Sequence, residues 1–280
     1  SLYDGSTGAW VKDDFGAAGI NADIIAESTS NNGIAFKSGG ATIWSLLSTG
    51  IIRAAGYSDF SHRNRVRVLE DFLSDAGATL PVPWGKHDTS AAGSPTHDYV
   101  ADSLNGTYRM KHDATSEQQN LALYFADQLV IDPTKNPVFE ARLAINFAGA
   151  NFSADQRIVI GLASARNATL DSVATNIWFR IEGANLNILW ETDDGTTDDD
   201  DNDSTIDIVD NTYTTFRIDL SDTSNIKFYV DGVLCGGGTA AAAALDATMK
   251  LQPYIEIQRD AGTEAEDVMV DYVMCEWDRT

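Results

Sequence analysis

Alternation with a period of two dominates the chain from residue 66 onward. In Val138-Phe139-Glu140-Ala141-Arg142-Leu143-Ala144-Ile145-Asn146-Phe147 the odd positions are all apolar, and the even ones from 140 include Glu, Arg and Asn. Successive side chains of a strand point to opposite faces, so this pattern predicts a strand with one buried and one wet face. Phe216, Ile218 and Leu220 alternate with Arg217 and Asp219. Ile226, Phe228 and Val230 alternate with Lys227 and Tyr229, and Ile255 and Ile257 with Glu256 and Gln258. Further strand-like runs cover residues 66–73, 107–112, 121–125, 157–163, 176–182, 185–190 and 267–277. Asp231-Gly232 between two such runs is a two-residue hairpin signal, and Glu182-Gly183-Ala184-Asn185 reads as a four-residue turn. About ten short strands with few helical segments predict an all-β fold, a two-sheet antiparallel jelly-roll sandwich over residues 66–280.

Residues 1–65 are rich in Gly, Ala, Ser and Asn and show little alternation. They read as an irregular N-terminal arm for docking or oligomerisation, carrying at most a short helix. The helical candidate is Ala41–Ala55, with Ile43, Leu46, Leu47, Ile51 and Ala54 near one face and Gly50 against it. The arm ends in the dense basic patch His62-Arg63-Asn64-Arg65-Val66-Arg67.

Charge excludes several partners. The 280 residues hold 19 basic and 42 acidic side chains, net −23. Nucleic acid and anionic membranes both require a positive footprint, so neither is an expected partner. No apolar run approaches the roughly 18–20 residues that span a bilayer. The opening Ser1-Leu2-Tyr3-Asp4-Gly5 lacks the basic and apolar regions of a signal peptide. Two cysteines without a CxxC, Cys235 and Cys275, suit a reducing compartment and read as part-buried thiols.

The jelly-roll region resembles a known class. Three features carry the likeness: Leu69-Glu70-Asp71-Phe72 followed by Pro81-Val82-Pro83-Trp84; the hairpin Ile226-Lys227-Phe228-Tyr229-Val230-Asp231-Gly232; and Val270-Asp271-Tyr272-Val273 ending near Trp277 and Arg279. Together they resemble the concanavalin-A/laminin-G-like jelly rolls of tailed-phage virion proteins. The resemblance implies first and last strands lying side by side. It also implies a structural virion protein on the outer capsid surface, a capsid decoration or head-fibre protein that docks on the major capsid protein or other virion proteins as a homo-oligomer. His62, Arg63, Arg65 and Arg67 are then the expected partner contacts. The alternative is a carbohydrate-binding module or receptor-binding fibre domain, and beyond it a polysaccharide-active enzyme, since this fold hosts several functions.

Chemistry-bearing motifs are sparse. No nucleophile elbow, H-E-x-x-H or P-loop is present, and His62, His87, His97 and His112 have no zinc-ligand spacing with cysteine. The E-x-D-x-E strand of jelly-roll glucanases is absent, and Tyr254-Ile255-Glu256-Ile257-Gln258-Arg259 offers one carboxylate. No catalytic residue and no enzymatic activity are expected. The pairs His87-Asp88 and His97-Asp98 read as loop polar pairs, and Glu140 and Arg142, on one strand face, as an exposed ion pair. Glu191 to Asp222 carries twelve acidic residues and one basic. Within it the Asp193–Asp210 loop reads first as a solvated, self-repelling hairpin tip, with a calcium site as the alternative. Ser204 stands where an EF-hand loop needs glycine. For sugar stacking the candidates are Trp84, Tyr99, Trp178, Trp190 and Tyr254. Trp178 and Trp190 lie on two arms of one predicted hairpin and would adjoin if their faces match; core packing is the expected role of most of the five.

Overall fold

The computed structural model describes residues 65–149, 152–235, 245 and 248–279 in full, and the backbone of six strands before them. The chain divides into two compact units, Ser1–Arg65 and Val66–Thr280.

The first unit holds strands where a short helix was expected. β1 (Tyr3–Asp4) pairs with β2 (Ala9–Trp10), and β3 (Ile24–Glu27), β4 (Ile34–Ser38), β5 (Ala41–Leu46) and β6 (Ile52–Ala54) form an antiparallel meander. The proposed helix over Ala41–Ala55 is therefore wrong: β5 and β6 both fall within that range. Thr42, Ile43 and Trp44 favour a pleated surface.

The second unit is the jelly roll. Its strands are β7 (Arg65–Glu70), β8 (Gly85–Asp88), β9 (Thr96–Tyr99), β10 (Tyr108–Lys111), β11 (Gln119–Tyr124), β12 (Val138–Asn146), β13 (Gln156–Ala163), β14 (Asn176–Glu182), β15 (Asn187–Asp193), β16 (Asp198–Asp207), β17 (Thr214–Asp219), β18 (Lys227–Val230), β19 (Val233–Leu234), β20 (Gln252–Arg259) and β21 (Asp267–Asp278). An eight-stranded sheet runs β19-β18-β17-β12-β21-β10-β9, with β7 also paired to β21. A seven-stranded sheet runs β16-β15-β14-β13-β20-β11-β8. The first strand of the unit thus lies beside its last.

The core fills the space between the sheets. From β12 it takes Phe139, Ala141, Leu143 and Ile145, the odd positions of the alternating run; from β14, Ile177, Phe179 and Ile181. β21 changes phase along its length. Val268 and Val270 face the core, then Val273, Cys275 and Trp277, because a bulge opposite Arg142 and Leu143 inserts a residue. Asp231 and Gly232 turn β18 into β19 with φ of 48° and 78°, the left-handed pair that a two-residue hairpin turn requires. No helix of the described residues is long and apolar enough to cross a membrane.

Candidate functional site: an acidic cleft on the seven-stranded sheet

The face of the seven-stranded sheet turned away from the core carries a second, smaller apolar cluster. Ala122, Tyr124, Val159, Ala163, Trp178 and Tyr254 meet Leu170 and Val173 there. Leu170 and Val173 come from the β13–β14 connection, which contains a single 3-10 turn at Leu170–Ser172. Gly161 of β13 lies opposite Trp178 on one side and Tyr254 on the other. Without a side chain between them the two rings lean together, with centroids 6.1 Å apart.

Each ring ends on a buried carboxylate. The Tyr254 hydroxyl donates to Glu256, which is fully buried and paired with Arg166 Nε at 3.2 Å. The Trp178 Nε1–H donates to Glu191 Oε1, which also takes Arg180 Nη1 at 3.4 Å. The first pair is closed over. The second opens into a cleft of about 200 Å³ lined by Asp171, Asn176, Trp178, Arg180, Glu182, Glu191, Asp193, Asp198, Asp200 and Asp201.

Strand register builds this cleft. Trp178 lies opposite Glu191 and Asn176 opposite Asp193, and Asp193 opposite Asp198. Period two then places Asn176, Trp178, Arg180 and Glu182 of β14 on one face with Glu191 and Asp193 of β15. Arg180 is the single basic residue among the lining side chains, and it reaches Asp171 at 2.9 Å and Glu182 at 2.6 Å as well as Glu191. Asp193, Asp198, Asp200 and Asp201 have no ion pair among the described residues.

Two acceptor atoms of the lining are buried without a hydrogen-bond partner: Glu191 Oε2 and Asn176 Oδ1. Glu191 is 2% exposed and Asn176 5%. An unmet buried acceptor costs about 1–3 kcal/mol, and more when charged. Burial pushes the Glu191 carboxyl up to about 7; Arg180 and the Trp178 N–H oppose the rise, and Asp200 adds to it. Asp198 is pushed up to about 6 by partial loss of water, then by a hydrogen bond and charge repulsion from Asp200, and by Asp193. Cleft chemistry is thus that of a strongly acidic acceptor surface with one guanidinium already engaged.

No protein-family model matches the sequence, and no curated protein matches it. Solved structures do share the fold. A protein of unknown function from Shewanella oneidensis MR-1 is 12% identical, with a TM-score of 0.52 over 77% of this chain and 87% of that one. The Emp47p carbohydrate recognition domain is 12% identical, with a TM-score of 0.51 over 80% of this chain and all of that one. The endo-1,3-beta-glucanase from Streptomyces sioyaensis is 14% identical, with a TM-score of 0.53 over the same shares, 80% and 100%. The second unit shares its jelly-roll fold with these structures.

Against this geometry the sequence-derived candidates divide. Trp84, Tyr99, Trp178, Trp190 and Tyr254 are all buried, as core packing predicts. Trp178 and Trp190 do not adjoin on one face. Phe179, not Trp178, lies opposite Trp190, so the two indoles point to opposite sides of the sheet. Trp190 stacks on Phe228 in the core with centroids 5.0 Å apart, which leaves no free face for a sugar. Trp178 lines the cleft. His62 and Arg63 lie outside the described residues, whereas Arg65 and Arg67 lie on β7, with Arg67 exposed. Neither Arg65 nor Arg67 lines the cleft.

The acidic stretch is not a loop throughout. Its turn covers 194–197, and Asp198–Asp207 is a ten-residue strand at the sheet edge. Among the described residues no group of three or more His, Cys, Asp or Glu has the geometry to hold a metal ion. The two His-Asp pairs lie on strands rather than in a loop, and on different sheets: His87 on β8, His97 on β9. Burial drives His97 down to about 3, a neutral ring packed edge-on against Tyr108. Glu140 and Arg142 lie on the wet face but do not pair with each other as expected: Glu140 takes Tyr272 and Arg217 from the neighbouring strands, and Arg142 takes Asp271. Cys235 and Cys275 are buried and free. Sequence reasoning missed Asn176, Arg180 and Glu191 as a set. The signal available was the alternation Asn176-Trp178-Arg180-Glu182, polar on the face opposite Ile177-Phe179-Ile181.

Proposed function

We propose that the jelly roll is a carbohydrate-binding domain and that the acidic cleft between β14, β15 and β16 is its sugar site. One observation carries this reading: a polar cleft whose buried Glu191 and Asn176 present partnerless acceptor atoms to an incoming hydrogen-bond donor. Sugar hydroxyls are such donors, and a few placed polar groups are what fix a ligand's orientation. At about 200 Å³ the cleft is smaller than the roughly 300–1000 Å³ of drug-sized sites, which suits one ring of a longer glycan. The likeness in fold to the Emp47p carbohydrate recognition domain points the same way. We propose binding without hydrolysis, since one oxygen of Glu191 is held by Trp178 and Arg180. The test is a glycan array probed with the full chain, followed by the Asp200→Asn variant at the cleft. Binding that weakens in the variant is expected. An array without a single binder overturns the reading, and release of reducing ends from a bound glycan overturns the non-enzymatic part.

The virion placement is the second reading. Its support is Arg67, exposed on β7 immediately after the N-terminal unit and so open to a protein partner. In that reading the chain decorates a tailed-phage capsid as an oligomer. Replacing Arg63, Arg65 and Arg67 with Glu then removes the protein from particles while the jelly roll still unfolds cooperatively. Full occupancy on particles sinks it.

A further inference from the structure

Acceptors and negative charge outnumber donors in the cleft, and this asymmetry selects among sugars. Lining it are seven carboxylates against one guanidinium. Arg180 is committed to Asp171, Glu182 and Glu191, and the Trp178 N–H is committed to Glu191. With Glu191 ionised, the Asn176 amide N–H2 is the donor that remains, against the acceptors Glu191 Oε2 and Asn176 Oδ1, both buried and partnerless, and the carboxylates of Asp193, Asp198, Asp200 and Asp201. A neutral hydroxyl both donates and accepts, so part of its capacity goes unmet here. An ammonium group donates three hydrogen bonds and accepts none. It also brings the positive charge that four carboxylates without an ion pair would attract.

We propose that the sugar taken by this cleft is an amino sugar, bound through its free ammonium group; the inference rests on the carbohydrate reading above. N-acetylation removes the charge and turns the three-donor ammonium into an amide with one N–H and a carbonyl acceptor, so both the attraction to the carboxylates and most of the donors are lost. The acetylated sugar is therefore bound more weakly.

Calorimetric titration of the full chain in about 0.15 M salt tests this, since salt at that level screens general attraction to the acidic surface. The ligands are a glucosamine tetramer, its N-acetylated counterpart, a neutral glucose tetramer and spermidine. The glucosamine tetramer is expected to bind at least about tenfold more tightly than the other three. Glu191→Gln and Asp200→Asn are expected to lose at least about tenfold in affinity for it, and Asp207→Asn, exposed on β16 outside the cleft, to lose none. Asp200 is exposed at the rim, so its variant reports on binding even if Glu191→Gln folds poorly. Equal binding of the acetylated or neutral tetramer overturns the ammonium inference and leaves the carbohydrate reading standing. No binding of any tetramer overturns both. Spermidine binding as tightly as the glucosamine tetramer, or an equal loss in Asp207→Asn, overturns the amino-sugar site in favour of general attraction for cations.

Discussion

Arg259 is fully buried at the end of β20, and its guanidinium donates to four backbone carbonyls, those of Glu117, Asp113, Glu264 and Thr115. The planar fork suits this clamp on the connections around β10, β11 and β21. A methionine would leave those acceptors without donors. Arg259→Met should therefore lose about 2–4 kcal/mol of stability by urea denaturation, and an unchanged midpoint would refute the clamp. Gly161 is constrained by packing instead of φ. A Cβ there would come within 2.4 Å of the Ile177 carbonyl oxygen and 2.6 Å of Trp178 Cα, atoms that cannot swing aside. Gly161→Ala should cost about 1–3 kcal/mol and shift the near-ultraviolet signal of Trp178. Glu191 links the cleft to pH. Its folded-state value of about 7 stands above the ordinary 4.5, so between those limits the native state holds a proton that the unfolded chain has released. Its contribution to stability is accordingly present below about pH 4.5 and lost as pH rises through 7. Comparing urea unfolding near pH 4.5 and pH 8, Glu191→Gln should move in stability relative to wild type by about 1–3 kcal/mol in the variant's favour. A constant difference between the two would show that the carboxyl is not perturbed.

β16 is a strand that local preference opposes. Asp is depleted in strands, yet Asp198–Asp207 pairs with β15 through two register shifts, with Asp201 and Thr205 at φ of 53° and 63°. The pairing is imposed by the neighbouring sheet, and the charge has a use there. A bulged, strongly acidic edge repels a second copy that would otherwise extend the ladder. Replacing Asp199, Asp203 and Asp207 with Thr should raise β-propensity and open that edge. Light scattering at rising concentration should then report association that wild type lacks; a monodisperse variant would mean that the bulges suffice. β8 and β9 are short and polar, so composition marks them as loop. Pairing with β11 and β10 makes them strands. The β18–β19 hairpin is the opposite case, where Asp231-Gly232 alone announces the turn and the structure follows it.

Closure of the jelly roll rests on a pairing between its two ends, since β7 lies on β21. The aromatic group behind that junction joins distant parts of the chain. Phe72 approaches Trp84 at 6.0 Å and Tyr108 at 5.4 Å, and Trp84 meets Phe125 at 4.7 Å. A chain beginning at Arg65 should therefore keep one cooperative unfolding transition, because the second unit retains its whole core. A chain beginning at residue 75 loses β7 and Phe72 and should unfold at markedly lower temperature. Equal midpoints for the two would show that the terminal pairing adds nothing.

Periodicity by itself determined the fold class and most of the strands, because a residue's side of a sheet follows from counting by two. Phe139, Ala141, Leu143 and Ile145 are legible as core in this way, and the Asp231-Gly232 turn by its demand for left-handed backbone. The cleft was not legible. Counting by two shows that Trp178 and Arg180 share a face and that Glu191 and Asp193 share one. It cannot show that Trp178 lies opposite Glu191 and Phe179 opposite Trp190, and a slip of one residue would exchange those partners. The same holds for β16, whose acidic residues read as solvated until a neighbouring strand holds them. Register is set by packing between the sheets, and it was register that sent Trp190 to the core and assembled Asn176, Arg180 and Glu191 around one space.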